Sequence, residues 1–322
     1  MQIYKSTNLQ ITNKLINSKF QIFICLFAYL LICLFIVPSL AYGQEVSLSI
    51  SPPLTEIAIQ PGKDISQTIT VKNDGVPVVV VAKMMPFVPL DTNGHVELIE
   101  DQTSIDAFSS WFYFDERPTP LGVNGIHQYI IKISPPKSAE LRDYYFTFVV
   151  EVQNNNNLEV GVNNTQSQAR IGANILLTAT NDGNPQKNVS IVKFTAPRVI
   201  DSFSGFTYQV LLGNSGSGFF KPVGRITVDQ IFGTTTTFNL APLNVLVGSE
   251  REIGCLDGQE IIPCKLPGKF LIGIYRANLS FTVDGVGESH EKQIYTVAFP
   301  FTILLGLATI VITYGIIRRL NP

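Results

Sequence analysis

Tyr144–Val152 (YYFTFVVEV) decides the fold class. Tyr144, Phe146, Phe148, Val150 and Val152 share one parity, and a period of two puts all five side chains on one face of a strand. The same signature recurs on both sides. Upstream it appears in Val46, Leu48 and Ile50, in Ile65, Ile69 and Val71, in the β-branched run Val78–Val81, and in Tyr129, Ile131 and Ile133. Downstream it appears in Ile171–Ala179, Val189–Phe194, Phe206–Leu212, Ile226 and Val228, Phe270–Ile274, and Leu279, Phe281 and Val283. Asn73-Asp74-Gly75, Ser134-Pro135-Pro136 and Asn181-Asp182-Gly183 punctuate these runs as turns. Only Thr103–Trp111 suits a helix, of two or three turns. Short strands between frequent turns predict an all-β chain of two tandem immunoglobulin-like antiparallel β-sandwiches. The turn cluster Asn181–Lys187 divides them into residues 44–182 and 187–296.

Composition places those sandwiches outside a cell. Of 322 residues only 15% are charged, against about 25% in a typical soluble domain. Two apolar runs account for the deficit. Phe20–Val37 follows Lys19 and precedes Pro38 and the small residues Ser39, Ala41 and Gly43. Residues 1–43 therefore read as a signal peptide, cleaved after Ala41 or Gly43, with an uncleaved N-terminal anchor as the alternative. Leu30-Leu31-Ile32 before Cys33 is too bulky for a lipoprotein signal. Val297–Ile317 carries no charge and is long enough to cross a bilayer as a helix, with Arg318-Arg319 next as a stop-transfer pair. That predicts a single-pass membrane protein, ectodomain extracellular, with residues 318–322 as a cytoplasmic tail. Five of the 23 basic residues and none of the 25 acidic ones lie in the two terminal stretches, leaving the middle at −7. So acidic a middle excludes a nucleic-acid binder.

Tyr144 and Tyr275 each stand where a sandwich places the tyrosine of its penultimate strand, whose hydroxyl bonds back across a corner. Gln153–Ala169 (QNNNNLEVGVNNTQSQA) is the most polar stretch, and reads as a long hairpin loop of the first sandwich, either a recognition loop or a neutral insertion.

Several stretches together resemble the bacterial cell-surface family of WxL-interacting proteins and, more loosely, the sandwiches of pilus chaperones. They are Ile50-Ser51-Pro52-Pro53, Gln60-Pro61-Gly62, Ile69–Asn73, Ser110-Trp111, Ile131–Pro135 and Tyr144 in the first half. In the second half they are Leu212–Asn214 with Gly216, Lys221-Pro222-Val223-Gly224, and Asp229–Gly233. The resemblance spans nearly the whole chain. It implies two sandwich domains that bind peptidoglycan and a partner protein at the cell surface. The Cys255…Cys264 pair is not part of the family pattern.

Chemistry is sparse. Cys255 and Cys264 flank an Asp257-Gly258 turn, and outside the cell this spacing reads as a structural disulfide closing a hairpin. His95, His127 and His290 lack metal-ligand spacing and nucleophile motifs. Asp91-Thr92-Asn93-Gly94 lacks the later ligands of a calcium loop and reads as a turn. Asp115-Glu116 offers paired carboxylates without supporting context. Trp111–Phe114 suits either a glycan platform or a core, and alternation favours the core for Trp111. The sequons at Asn163, Asn188 and Asn278 are incidental in a bacterium. The expectation is a non-catalytic cell-wall-binding or scaffold protein, with no cofactor or metal, engaging cell-wall polymer or another surface protein. The alternatives are an exported hydrolase with a site scattered over loops, and a chaperone-like assembly factor.

Overall fold

Most of the alternating runs become strand in the computed structural model, which describes residues 46–153, 169–231, 233–268, 270–284 and 286–320; Phe270–Ile272, expected to be strand, is a loop. The first sandwich comprises, in chain order, β1 (Leu48–Ser51), β2 (Leu54–Ile59), β3 (Ile65–Asn73), β4 (Val78–Pro89), β5 (Val96–Leu98), α1 (Gln102–Ser109), β6 (Phe112–Tyr113), β7 (Thr119–Leu121), β8 (Ile126–Ile133), β9 (Asp143–Val152) and β10 (Arg170–Ala179). One sheet runs β1-β3-β8-β6 and the other β2-β10-β9-β4-β5, with β7 also paired to β4. Between them lie Ile69, Val71, Tyr129, Ile131, Phe146, Phe148, Val150, Ile175 and Leu177, all essentially inaccessible. Asp101 starts α1 by accepting the Ser104 N–H at 2.9 Å. Tyr144 makes the expected corner, its hydroxyl donating to the Glu140 carbonyl at 3.3 Å. In the equivalent place, Tyr275 is buried edge-on to Phe206.

The second sandwich continues with β11 (Val189–Thr195), β12 (Val199–Asp201), β13 (Phe206–Asn214), β14 (Pro222–Gln230), β15 (Thr235–Asn239), β16 (Glu250–Glu252), β17 (Cys255–Asp257), β18 (Glu260–Ile262), β19 (Cys264–Leu266), β20 (Gly273–Val283) and β21 (Val286–Phe299), before α2 (Phe301–Leu320). Its sheets are β11-β13-β16, with β19 on β13, and β12-β21-β20-β14-β15. Both halves share a chain path. The opening strand pairs antiparallel with the second long strand (β1 with β3, β11 with β13), then the chain crosses to lie parallel to the last strand (β2 with β10, β12 with β21). Both also end that second strand on a buried asparagine. Asn73 Nδ2 donates to the carbonyls of Val76, Leu121 and Gly122, and Asn214 Nδ2 to those of Gly218 and Val245. Each Oδ1 accepts the N–H of the glycine two residues on. Two of the stretches behind the family resemblance, Ile69–Asn73 and Leu212–Asn214 with Gly216, thus end in turn latches.

The end of the second sandwich differs from expectation. Val297–Phe299 lie in β21 and not in the apolar helix, which starts at Phe301 and runs to Leu320. Hydropathy does not distinguish apolar strand from apolar helix, and ladder partners on both sides, Gly273 and Ile274 of β20 and Val199–Asp201 of β12, hold these residues extended. The expected signal peptide lies outside the described residues, as do residues 154–168 with the sequon at Asn163.

Cys255 and Cys264 are bonded, and both are buried in the second core with β17 and β18 forming the hairpin between them. The unreduced chain should weigh two hydrogens less than its dithiol form. Replacing both cysteines by alanine should lower the unfolding free energy by about 2–3 kcal/mol, the chain-entropy value for so short a loop. Urea unfolding of the detergent-solubilised chain checks this, and alkylation mapped to Cys255 and Cys264 in the native, unreduced protein would refute the bond.

Candidate recognition groove and domain junction

β4 is twelve residues long but paired only in part along its outer edge. Val78–Val80 pair with β7 and Phe87–Pro89 with β5, while Val81–Met85 pair with β9 alone among the described residues. The direction of the backbone groups follows from two bonds. The Val79 carbonyl accepts from Gln153 on the β9 side, and the Pro86 carbonyl accepts from Ile99 on the outer side. Antiparallel geometry then points the N–H and C=O of Ala82 and Met84 into the gap. A strand edge with unmade bonds is a template for another strand.

The gap forms a groove of about 650 Å³. Ala82, Met84 and Phe146 form its apolar floor, and Phe108, Phe112 and Phe114 one wall. T-shaped stacking holds that wall: Phe108 on Phe146 at 5.2 Å, Phe112 on Phe146 at 4.7 Å and Phe114 on Phe148 at 5.3 Å. Along the rim lie Lys83, Glu100, Asp106, Glu116, Glu151 and Arg170. Both cations are paired, Lys83 with Glu151 at 2.8 Å and Arg170 with Glu100 at 2.7 Å. Asp106 and Glu116 have no cationic partner among the described residues, so the rim is net negative.

Domain two meets one end of the outer face of the same sheet. Asp143 and Tyr145 of β9 carry the contact. Asp143 accepts from the Thr178 hydroxyl at 2.7 Å, the Tyr145 hydroxyl at 3.1 Å and the Phe219 N–H of the second sandwich. Tyr145 in turn accepts the Val247 N–H at 2.8 Å. Burial pushes both groups up, outweighing the donors around the carboxylate and, at the phenol, joined by the nearby Asp143 charge. Phe87, Leu176 and Leu246 close an apolar patch alongside. Glu56 receives Lys221 at 2.8 Å and Asn244 at 2.7 Å. Arg251 lies so close over Gly94 that a Cβ there would fall 2.4 Å from its guanidinium.

The candidate residues from the sequence do not converge on one centre. Trp111 and Phe112 are buried, Trp111 stacking on Phe108 and Tyr144, so the aromatic cluster is core at its centre. Only Tyr113 of Trp111–Tyr113 is well exposed. Asp115 is held well below the usual carboxylate range by Arg117 two residues on. Asp91 is lowered to about 2, chiefly by His95, and its turn touches domain two through the Thr92 carbonyl, which accepts from Glu252 at 2.7 Å. His127 stacks on Tyr129 and His290 on Phe281. The β4 gap escaped the sequence, where only Val78–Val81 reads as a strand and nothing marks its continuation to Pro89.

No family model matches the chain, and no curated protein matches it. Solved structures with some likeness include the class 5 fimbriae chaperone CfaA, at 9% identity over 79% of this chain and 100% of that one, with a TM-score of 0.38. The E. coli chaperone DraB has 14% identity over 78% and 98%, with a TM-score of 0.35. A Porphyromonas gingivalis W83 protein of unknown function has 10% identity over 78% and 99%, with a TM-score of 0.28. Likenesses this distant carry no functional argument.

Asp143→Ala should strand the Phe219 N–H and two hydroxyls at the junction and lower stability by about 1–3 kcal/mol. Combined with Tyr145→Phe, the loss should fall short of the sum of the two single losses, because both remove parts of one network. Urea unfolding of the four proteins checks the cycle; strict additivity would show that the two groups act independently.

Proposed function

We propose that the chain is a non-catalytic, membrane-anchored surface protein that binds an extended segment of another surface polypeptide along the open edge of β4. The observation carrying this is the interrupted edge. Ala82 and Met84 aim main-chain donors and acceptors into an apolar groove, flanked in register by β5 and β7. Strand addition supplies what such an edge lacks, main-chain bonds for affinity and pockets for alternate side chains. The acidic rim selects cationic residues at the alternate positions. A wall glycan suits the groove less well. Sugar stacking needs exposed aromatic faces, and Trp111 and Phe112 are committed to the core. A chaperone-like assembly role would use the same edge and differ only in releasing its client.

Anchoring rests on α2, twenty residues long and apolar, ending in Arg318 and Arg319. In this reading it crosses the bilayer with both sandwiches outside and the arginines inside. Of the acidic residues that the sequence offered, Asp115 is held by Arg117 and Asp91 by His95.

A (Val-Lys)4 peptide should bind the full chain more tightly than (Val-Glu)4 in fluorescence polarisation, and should slow amide exchange at Ala82 and Met84. Met84→Pro removes an N–H that faces the gap and not β9, where a strand tolerates proline. It should weaken the peptide by about tenfold, the worth of one main-chain bond with its pocket. Unchanged affinity in Met84→Pro would remove the edge from the account. Soluble fragments released from purified wall polymer by the pure chain would overturn the non-catalytic half.

A further inference from the structure

We infer that the end of the second sandwich bordering α2 is a lipid-seated foot, with Phe203, Phe270 and Ile272 resting in the headgroup and acyl boundary of the bilayer that α2 enters. This rests on reading α2 as a membrane span.

The strand passes into the helix with no linker. Phe299 is still in register with Asp201 of β12, Pro300 follows, and α2 begins at Phe301. The first N–H groups of a helix have no partner within it, and in lipid no water replaces one. Asp201 supplies the acceptor. Its carboxylate takes the Thr302 N–H at 2.9 Å and the Phe203 N–H at 3.1 Å, and Thr302 chiefly holds it below the usual carboxylate range. A nearly buried aspartate from another strand therefore fastens the head of the helix to the sandwich.

That fastening places two loops beside the helix start. The turn after β12 presents Phe203, 56% exposed, and the loop before β20 presents Phe270 and Ile272, 50% and 49% exposed. The loops form one surface. Leu271 N–H donates to the Ser202 carbonyl at 2.7 Å, and the Phe203 and Phe270 rings lie 5.3 Å apart. A Cβ on Gly268 would sit 2.4 Å from the Phe203 carbonyl, so only glycine allows this approach. Phe270 itself adopts φ +43°, a conformation unfavourable for a bulky residue. Strain spent on holding a phenylalanine outward is unaccounted for in water. At a membrane interface the same residues are stabilising, where apolar and aromatic side chains bury about 5–10 Å into the boundary. The loop sequence Pro267–Gly273 (PGKFLIG) carries one charge, the cation Lys269, and Ser202–Gly205 carries none.

The test uses the full chain in phosphatidylcholine vesicles, with and without lipids brominated near the top of the acyl chains. Native Trp111, buried in the first sandwich, gives a constant background. Phe203→Trp and Phe270→Trp report on the foot, and Ile310→Trp on the helix. Val223→Trp is the dry control, because Val223 is exposed near the far end of β14, roughly 20 Å along the strand from Gln230. Added emission should fall by about half at 203, 270 and 310 on bromination and stay unchanged at 223, as expected for groups seated in the boundary. Quenching at 310 without more quenching at 203 and 270 than at 223 overturns the foot and leaves the span standing. No quenching at 310 overturns both. Thermal unfolding matching the parent shows that each variant has kept its fold.

Discussion

The sheet β2-β10-β9-β4 meets the first core on one face and receives the second sandwich at one end of the other, and much of the molecule follows from that constraint. The rest of that second face borders β5 across a pocket of about 820 Å³ lined by Leu98, Thr147, Val149 and Asn174. Polar groups trapped beneath the second sandwich must find partners there, which accounts for the network of Asp143, Tyr145 and Thr178. The β4 groove lies at the edge of this sheet, where Val81–Met85 pair with β9 alone among the described residues.

The junction combines a small apolar patch with several partly exposed polar pairs. Ion pairs such as Glu56 with Lys221 are half in water, and such pairs contribute little to stability. Their value is geometric. Glu56 accepts from two residues of the second sandwich, and Arg251 lies over a turn that only a glycine at position 94 leaves open. Directional bonds of this kind choose one arrangement of two domains from the many that an apolar patch alone would tolerate.

How much of this the sequence disclosed depends on which face a residue turns. The inward set of β9 was plain, because Tyr144, Phe146, Phe148 and Val150 alternate without a break, and α1 overlaps the stretch Thr103–Trp111 that suited a helix. The outward set was not. Asp143 and Thr178 carry the chemistry of solvated strand positions, yet both are buried. Nothing local marks a polar residue as destined for a domain contact, since the covering residues lie far along the chain. The open edge was hidden for the same reason: pairing belongs to two strands, and nothing within Val78–Pro89 marks where its neighbour is interrupted. The Cys255–Cys264 bond was legible because its signal, compartment and short spacing, is local.

The parallel crossing in each half links these features mechanically. In the first sandwich it lays β2 beside β10, carrying Glu56 to the junction. In the second it lays β12 beside β21, carrying Asp201 to the head of α2. One topological device therefore places an acidic residue at each end of the second sandwich, holding its neighbour in register. A flexible connection at either place would let the β4 edge sample every orientation relative to the helix. Hydrogen-bonded strands running into both contacts remove that freedom, so the β4 edge keeps a defined direction relative to α2.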